Sequence, residues 1–214
     1  MIDDTGRNAM GRDAAERLAF FSDAVVAIAI TLLAIDLPVP TGDSTPEFLA
    51  ALRADPFDYL AFLISFVVIG SHWRSHHRVF GFVERIDRRL VTLNLSWLLL
   101  IVLNPFLTKV IGEGRLTAVR FGIYAFAQAL LLALFGLMIA RLARRAMFVE
   151  GTPASLTRHG WLESLSAAAG FLVSIPLFPL MHGWAFALWA VVPFALGQLR
   201  ALGRNSSPDR AHGG

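Results

Sequence analysis

An acidic side chain interrupts an apolar stretch near the start of the chain. In AFFSDAVVAIAITLLAIDLPVP, residues 19–40, Asp23 follows Ser22 about one turn into a run that is otherwise suited to hydrocarbon. A charge at that depth costs several kcal/mol, so it marks a functional site or a tightly paired group. The chemistry open to it is an intramembrane proton relay or a buried network of hydrogen bonds.

A second group of chemically active side chains is HWRSHH, residues 72–77, whose spacing H-x-x-x-H-H resembles one histidine box of the membrane di-iron enzymes. Such a centre needs several boxes, whereas this chain has 6 histidines, of which His159, His182 and His212 stand alone. No G-x-S-x-G segment occurs that would present a nucleophilic serine. We therefore expect no enzyme, no resident metal and no cofactor.

The composition is that of an integral membrane protein. Hydrophobic residues make up 56% of the chain and charged ones 16%, with a mean hydropathy of +0.59. The chain has no cysteine, which excludes disulfides and thiolate metal sites. Its basic residues lie in short loops between apolar stretches, so we expect contact with membrane lipid and no binding of nucleic acid.

Apolar stretches long enough to cross a bilayer as helices divide the chain. They predict an all-α membrane domain over residues 18–202, after an N-terminal segment 1–17 and before a disordered tail 203–214. The predicted spans are residues 18–36, 57–80, 89–108, 116–140, 161–180 and 182–202. Helix breakers fall where spans should end, as with Pro38 and Pro40 after the first span and Asn104-Pro105 late in the third.

The distribution of basic residues predicts how the chain is oriented. An excess of lysine and arginine marks cytoplasmic segments. With the N-terminus inside, the basic residues left outside are Arg53, Lys109, Arg115 and Arg120. We therefore expect a multi-pass protein of the plasma membrane with both termini in the cytoplasm.

The first predicted helix has two distinct faces. At roughly 100° per residue, an apolar stripe forms on one side, with Thr31 at its edge. The stripe consists of Phe21, Val25, Ile28, Leu32 and Ile35. Asp23 lies on another face, among the small residues Ala19, Ala27 and Ala34, so we expect its carboxylate to point into the helix bundle. Its depth allows contact with His76 or His77 near the cytoplasmic end of the second span.

Arg17-x-x-x-Phe21-Ser22-Asp23, continued by AVVAIAIT, resembles the first-helix signature of the transmembrane protein 175 family of potassium channels, in its bacterial branch. Further matching segments are Trp73-x-x-His76-His77-x-x-Phe80, Asp87 to Arg89, Asn94 and Asn104-Pro105-Phe106. The resemblance covers residues 17–108. The second half of the chain agrees only in having three further predicted spans.

The resemblance implies a homotetrameric cation channel with six helices in each subunit and a pore lined by the first helix. By position, Ile28 matches the pore constriction, Thr31 the threonine of cation selectivity, and Leu32 and Ile35 further apolar rings. The permeant ion is then K⁺. The signature residues imply a polar network that holds the first helix, made of Arg17, Phe21, Ser22, Asp23, Trp73, His76, His77 and Asn94. No T-V-G-Y-G segment occurs, so a filter of backbone carbonyls is not expected.

Two other functions stay open at this point. A proton-coupled transporter would use Asp23 and His77 as a relay, although the sequence shows no inverted repeat and no acidic residue at the bilayer midplane. A membrane scaffold without transport would need the same spans and the same network.

Overall fold

The computed structural model describes residues 4–35, 37–54, 56–181, 184, 185 and 189. These residues form an all-helical bundle. Its helices are α1 (Asp4–Ile35), α2 (Thr45–Ala54), α3 (Pro56–Phe80), α4 (Arg88–Gly112), α5 (Ala118–Arg144) and α6 (Gly160–Met181), with a π-helical turn at Ser155–His159 before α6. The predicted sixth span, residues 182–202, and the predicted tail lie outside the described residues, apart from residues 184, 185 and 189.

Within the part of the chain that the structure describes, four helical stretches are long and apolar enough to cross a membrane. They are Met10–Ile35, Arg88–Gly112, Ala118–Arg144 and Ser155–Met181. The predicted second span, residues 57–80, coincides with α3 in position but is not among these four. The short helix α2 has no buried residue and lies in the loop between α1 and α3.

Helix α1 begins at Asp4, so most of the N-terminal segment 1–17 continues the first span as helix. The helix stops before Pro38, whose ring disfavours helical backbone in the preceding residue. The loop is then fixed to α3, because the hydroxyl of Tyr59 donates to the carbonyl of Pro38 at 2.7 Å.

Asn104-Pro105, the predicted breaker late in the span 89–108, does not end the helix. Helix α4 continues through Pro105 to Gly112. A proline in a helix removes one backbone hydrogen bond, here the one that the carbonyl of Ile101 would accept, and membrane helices tolerate this loss where neighbouring helices pack around them. Asn104, Pro105 and Thr108 are buried in the bundle. The Asn104 amide donates to the carbonyl of Leu100 at 3.1 Å, and the Thr108 hydroxyl donates to the carbonyl of Asn104 at 2.8 Å.

The largest apolar core lies where α1, α3, α4 and α5 meet. It includes Val26 and Leu33 of α1, Ile69 of α3, Trp97 of α4 and Met138 of α5, all of them buried. Helices α5 and α6 pack most extensively against each other, around a second core built on Phe121 and Phe171. Their backbones approach closely at Gly136, where an added Cβ would lie 3.3 Å from the carbonyl of Trp161.

Two loops at the same end of the bundle are joined by backbone hydrogen bonds. The Glu84 amide donates to the carbonyl of Met147 at 2.9 Å, and the Val149 amide donates to the carbonyl of Phe82 at 2.9 Å. The loop between α3 and α4 is thereby held to the loop after α5. This fixes the ends of the two helices next to the candidate site.

Candidate functional site

A chain of three buried polar side chains ties α1 to α3 and α4. His76 of α3 donates from Nε2 to Oδ1 of Asn94 at 2.8 Å, and Nδ2 of Asn94 donates to Oγ of Ser22 at 2.9 Å. The Ser22 hydroxyl in turn donates to the carbonyl of Leu18 at 2.8 Å. Each of the three buried polar side chains thus has at least one hydrogen-bond partner.

The imidazole of His76 is also fixed by aromatic rings. It stacks on Phe80 with ring centroids 4.0 Å apart and on Trp97 with centroids 4.7 Å apart, nearly parallel in both cases. Offset stacking of this kind adds to the energy of burial. The ring therefore has one orientation, which aims Nε2 at Asn94.

The carboxylate of Asp23 has two partners on α3. Its Oδ1 accepts from the indole Nε1 of Trp73 at 2.9 Å, and its Oδ2 accepts from Nδ1 of His77 at 3.2 Å. Residues four apart lie on the same face of a helix, which is why Trp73 and His77 reach the same carboxylate. The Asp23 side chain is 26% exposed and that of His77 60% exposed, so this pair lies at the edge of the bundle.

These contacts show which of the two histidines is the partner of Asp23, a choice that the sequence left open. His77 contacts Asp23, whereas His76 contacts Asn94 and takes no direct part in the carboxylate pair. Of the predicted network, the structure brings together six residues: Ser22, Asp23, Trp73, His76, His77 and Asn94. Arg17 and Phe21 lie exposed on α1, and among the described residues Arg17 makes no hydrogen bond or ion pair.

The opposite face of α1 leaves an apolar stripe uncovered. Ile28 is 60% exposed and Ile35 is 73% exposed, with Phe21 and Leu32 also exposed on the same side. Val25, the remaining residue of the predicted stripe, is half-buried against the core. Ser22, Val26, Ala29 and Leu33 are buried instead, at helical spacing. The buried stripe thus differs from the small-residue face that the sequence predicted, because Ala27 and Ala34 are exposed. Serine rather than alanine provides the close contact with α4.

Thr31 lies at the edge of this exposed stripe. Its hydroxyl donates to the carbonyl of Ile28 at 2.8 Å. Since the hydrogen is directed back along the helix, the lone pairs of the oxygen remain available to a ligand that needs an acceptor.

Asp87 begins α4 and connects it to α5. Its side chain accepts from the amide of Leu90 at 2.8 Å, which caps the helix, and from Nε of Arg141 at 2.9 Å. A second contact joins Nη2 of Arg141 to the other carboxylate oxygen, so the pair is bidentate. The hydrogen bonds from Arg141 are the main reason why the pKa of Asp87 falls from 3.8 to about 2.

A second buried polar network was not predicted. His72 donates to Oε1 of Gln128 at 3.2 Å, Gln128 donates to Oδ1 of Asn104 at 2.8 Å, and Asn104 donates to the carbonyl of Leu100. Ser65, Thr108 and Tyr124 extend it, with the Thr108 hydroxyl 2.7 Å and the Tyr124 hydroxyl 3.1 Å from Oγ of Ser65. Its members are single polar residues inside apolar spans, and such residues pair with one another in a membrane. This pattern in the sequence could have indicated the network.

Among the residues that the structure describes, no group of three or more His, Cys, Asp or Glu side chains is placed to hold a metal ion. The site therefore consists of a polar network that holds α1 and an apolar stripe on the other face of the same helix.

Comparisons with known proteins show which family the chain belongs to. A family model described as "Endosomal/lysosomal potassium channel TMEM175" matches residues 17–105. A potassium channel of Streptomyces collinus is 33% identical over 179 residues, which is 78% of this chain and 87% of that protein. The chain belongs to the TMEM175 family.

Two further relatives place the TMEM175 match within the bacterial branch. A potassium channel of a Chryseobacterium species is 35% identical over 99 residues, covering 46% of this chain and 50% of that protein. The crystal structure of a lysosomal potassium-selective channel TMEM175 homolog from Chamaesiphon minutus matches with a TM-score of 0.65 and 28% identity. The match covers 87% of this chain and 97% of that one. The resemblance inferred from the first-helix signature is confirmed.

Proposed function

We propose that this chain is the subunit of a potassium channel of the plasma membrane, in which four copies surround a pore lined by α1. The observation that carries the proposal is the uncovered stripe of α1. Ile28 and Ile35 are well exposed although the other face of the same helix is packed in the bundle. Family membership gives this stripe a role, since bacterial relatives are named potassium channels.

Ile28 forms the constriction in this proposal. Four isoleucine side chains at one level make a narrow apolar ring that closes by expelling water, and slight widening readmits it. Leu32 and Ile35 would form further rings at successive turns toward the outside. Opening then requires only a small movement of α1, which the network on its other face holds in place.

Thr31 supplies the selectivity in this proposal. Its hydroxyl hydrogen is engaged by the Ile28 carbonyl at 2.8 Å, so four threonine oxygens would present lone pairs toward the pore axis. They can replace part of the hydration shell of a cation. The more weakly hydrated K⁺ benefits more than Na⁺, and moderate selectivity follows without a carbonyl filter.

The polar network has a structural task in this proposal. Ser22 and Asp23 are adjacent on α1 and are held by four side chains of α3 and α4, and the proposal assigns the network neither a metal nor a cofactor. The family is one of ion channels, and we assign the chain no enzymatic activity. The six-span topology that we propose, with both termini in the cytoplasm, would put this network near the inner face of the membrane.

Planar-bilayer recording tests the proposal. Purified protein in a potassium/sodium gradient should give single-channel currents that reverse toward the potassium potential. Ile28→Asn should give larger or leaky currents, because it hydrates the ring. The matched control is Leu99→Asn, since Leu99 on α4 is exposed to the same 60%. Equal effects of the two substitutions would contradict a pore on α1.

One contact supports an alternative function. Oδ2 of Asp23 and Nδ1 of His77 lie 3.2 Å apart, a distance that suits a relay in a proton-coupled transporter. Asp23→Asn separates the two functions. A relay loses transport outright, whereas a channel keeps passive potassium flux with altered assembly or gating.

A further inference from the structure

Three cavities meet at Ser75 of α3. The first, of about 640 Å³, lies between α3 and α6 over the side of α5 and is lined mainly by apolar residues such as Leu63, Val67, Phe171 and Trp189. The second, of about 210 Å³, continues along α3 past His72. The third, of about 510 Å³, lies on the exposed side of α3. The exposed stripe of α1 lines none of the three, and the third also touches the polar network through Trp73 and His77.

The apolar cavity has about the length of one acyl chain. From Ser75 to Leu63 the helix rises about 18 Å, at 1.5 Å per residue. Half of the hydrocarbon core of a bilayer, the depth that one acyl chain occupies, is about 15 Å. The groove along α3 is therefore long enough to hold one acyl chain of a lipid.

The third cavity has the opposite chemistry. Its lining residues are Trp73, Arg74, Ser75, His77 and Arg78. Two arginines and no carboxylate line it among the residues that the structure describes, and tryptophan favours the level of the headgroups. Arg78 also lines the second cavity, together with Glu163 of α6. The carboxylate of Asp23 is bonded to Trp73 and His77 beside the third cavity. The positive charge available to a phosphate therefore comes from Arg74 and Arg78.

We propose that these three cavities together bind one anionic glycerophospholipid of the inner leaflet. Its phosphate lies between Arg74 and Arg78, its glycerol passes Ser75, and one acyl chain fills the groove between α3 and α6. Basic pockets between membrane helices on the cytoplasmic side bind anionic headgroups in this way. The proposal holds whether or not the chain conducts potassium.

The proposed lipid site shares two side chains with the network that holds α1. Trp73 and His77 line the headgroup cavity and also donate to the carboxylate of Asp23 on α1. A bound phosphate would therefore lie beside the two side chains that hold α1. Lipid composition would then act on the position of α1 as well as on stability.

Native mass spectrometry of the purified full-length chain tests the headgroup end. Phosphatidylglycerol should bind more tightly than phosphatidylcholine with the same acyl chains. The double variant Arg74→Gln/Arg78→Gln should weaken phosphatidylglycerol binding by about 25-fold, at about fivefold per arginine, and remove the preference. Arg89→Gln, an exposed arginine at the start of α4, is the matched control and should change neither affinity. Equal phosphatidylglycerol affinity of the double variant and the control would overturn the proposal.

Fluorescence quenching tests the acyl end. Because the chain has no cysteine, Val67→Cys carries a single bimane label inside the groove. Brominated phosphatidylglycerol should quench this label more strongly than brominated phosphatidylcholine, whereas a label on Leu99→Cys should show no headgroup preference. Absence of quenching at position 67 would overturn the proposal, since the groove would then be covered by residues 182–202 or by a second copy of the chain.

Discussion

Replacing Asn94 with leucine tests whether the buried network holds α1. Asn94 is fully buried and makes two side-chain hydrogen bonds, to Oγ of Ser22 at 2.9 Å and from Nε2 of His76 at 2.8 Å. Side-chain hydrogen bonds between membrane helices contribute about 0.6 kcal/mol on average and up to about 1.7 kcal/mol. Asn94→Leu should therefore lower the free energy of unfolding by about 1–3 kcal/mol.

Losing the two hydrogen bonds has different consequences for Ser22 and His76. Ser22 keeps a partner, because its hydroxyl still donates to the carbonyl of Leu18. His76 keeps its stacked rings but loses the acceptor for Nε2, and an unsatisfied buried donor is the costlier outcome. We expect most of the loss to come from His76, so Ser22→Ala alone should cost less than Asn94→Leu.

The measurement is unfolding by sodium dodecyl sulfate in mixed micelles, followed by circular dichroism. A double-mutant cycle of Ser22→Ala and Asn94→Leu should give a coupling energy of about 0.6–1.7 kcal/mol. Thr92→Val is the control, since Thr92 is an exposed residue of the same helix and bonds only to the carbonyl of Arg88 among the described residues. A loss for Asn94→Leu no larger than for Thr92→Val would refute the reasoning.

Substitutions at three further positions give distinct outcomes in the same unfolding assay. Trp73→Phe removes the indole donor to the α1 carboxylate and should cost about 1 kcal/mol, whereas an unchanged curve would deny that this contact holds α1. The pKa of Asp87 is about 2 in the folded chain against an ordinary 3.8, so its contact with Arg141 stabilises above about pH 4 and is lost as the pH falls through 2. Asp87→Asn should flatten that acid limb, and an identical limb would contradict the assignment. At Gly11 an added Cβ would lie 3.2 Å from the carbonyl of Glu84, so Gly11→Leu should destabilise by about 1–3 kcal/mol and Gly11→Ala by less.

The sequence predicted which residues of the first helix share an apolar face, but not which residues contact the neighbouring helices. Periodicity placed Phe21, Ile28 and Ile35 on one face, and the structure leaves that face uncovered. Periodicity did not predict the buried face, because it placed Ala27 and Ala34 on that face and both are exposed. Helical spacing alone does not say which side of a helix contacts a neighbouring helix. Here the contact includes the hydrogen bond from Asn94 of α4 to Ser22.

Depth along the membrane predicted the partner of Asp23 in part. Counting residues from the helix ends put Asp23 level with His76 and His77, and the contact with His77 is present. Depth does not determine the rotation of α3 about its own axis. This rotation directs His76 toward α4 and not toward Asp23. The same limit explains why the network of His72, Gln128 and Asn104 was missed: its members come from three helices whose relative rotation the sequence does not give.

Local rules also failed at Pro105. Asn104-Pro105 is typical of a helix end, yet α4 continues through it, because Asn104, Pro105 and Thr108 are buried against neighbouring helices. The pairing of the loops at residues 82–84 and 147–149 had no sequence signal, since each segment is short and irregular.

The claim that potassium passes along the exposed stripe of α1 is tested most directly by chemical block at one position. The cysteine-free chain allows Ile28→Cys and the matched Leu99→Cys to be recorded in planar bilayers while a positively charged methanethiosulfonate reagent is added. We expect the potassium current of Ile28→Cys to be blocked irreversibly and that of Leu99→Cys to persist. A current through fully modified Ile28→Cys that equals the current before modification would contradict the account.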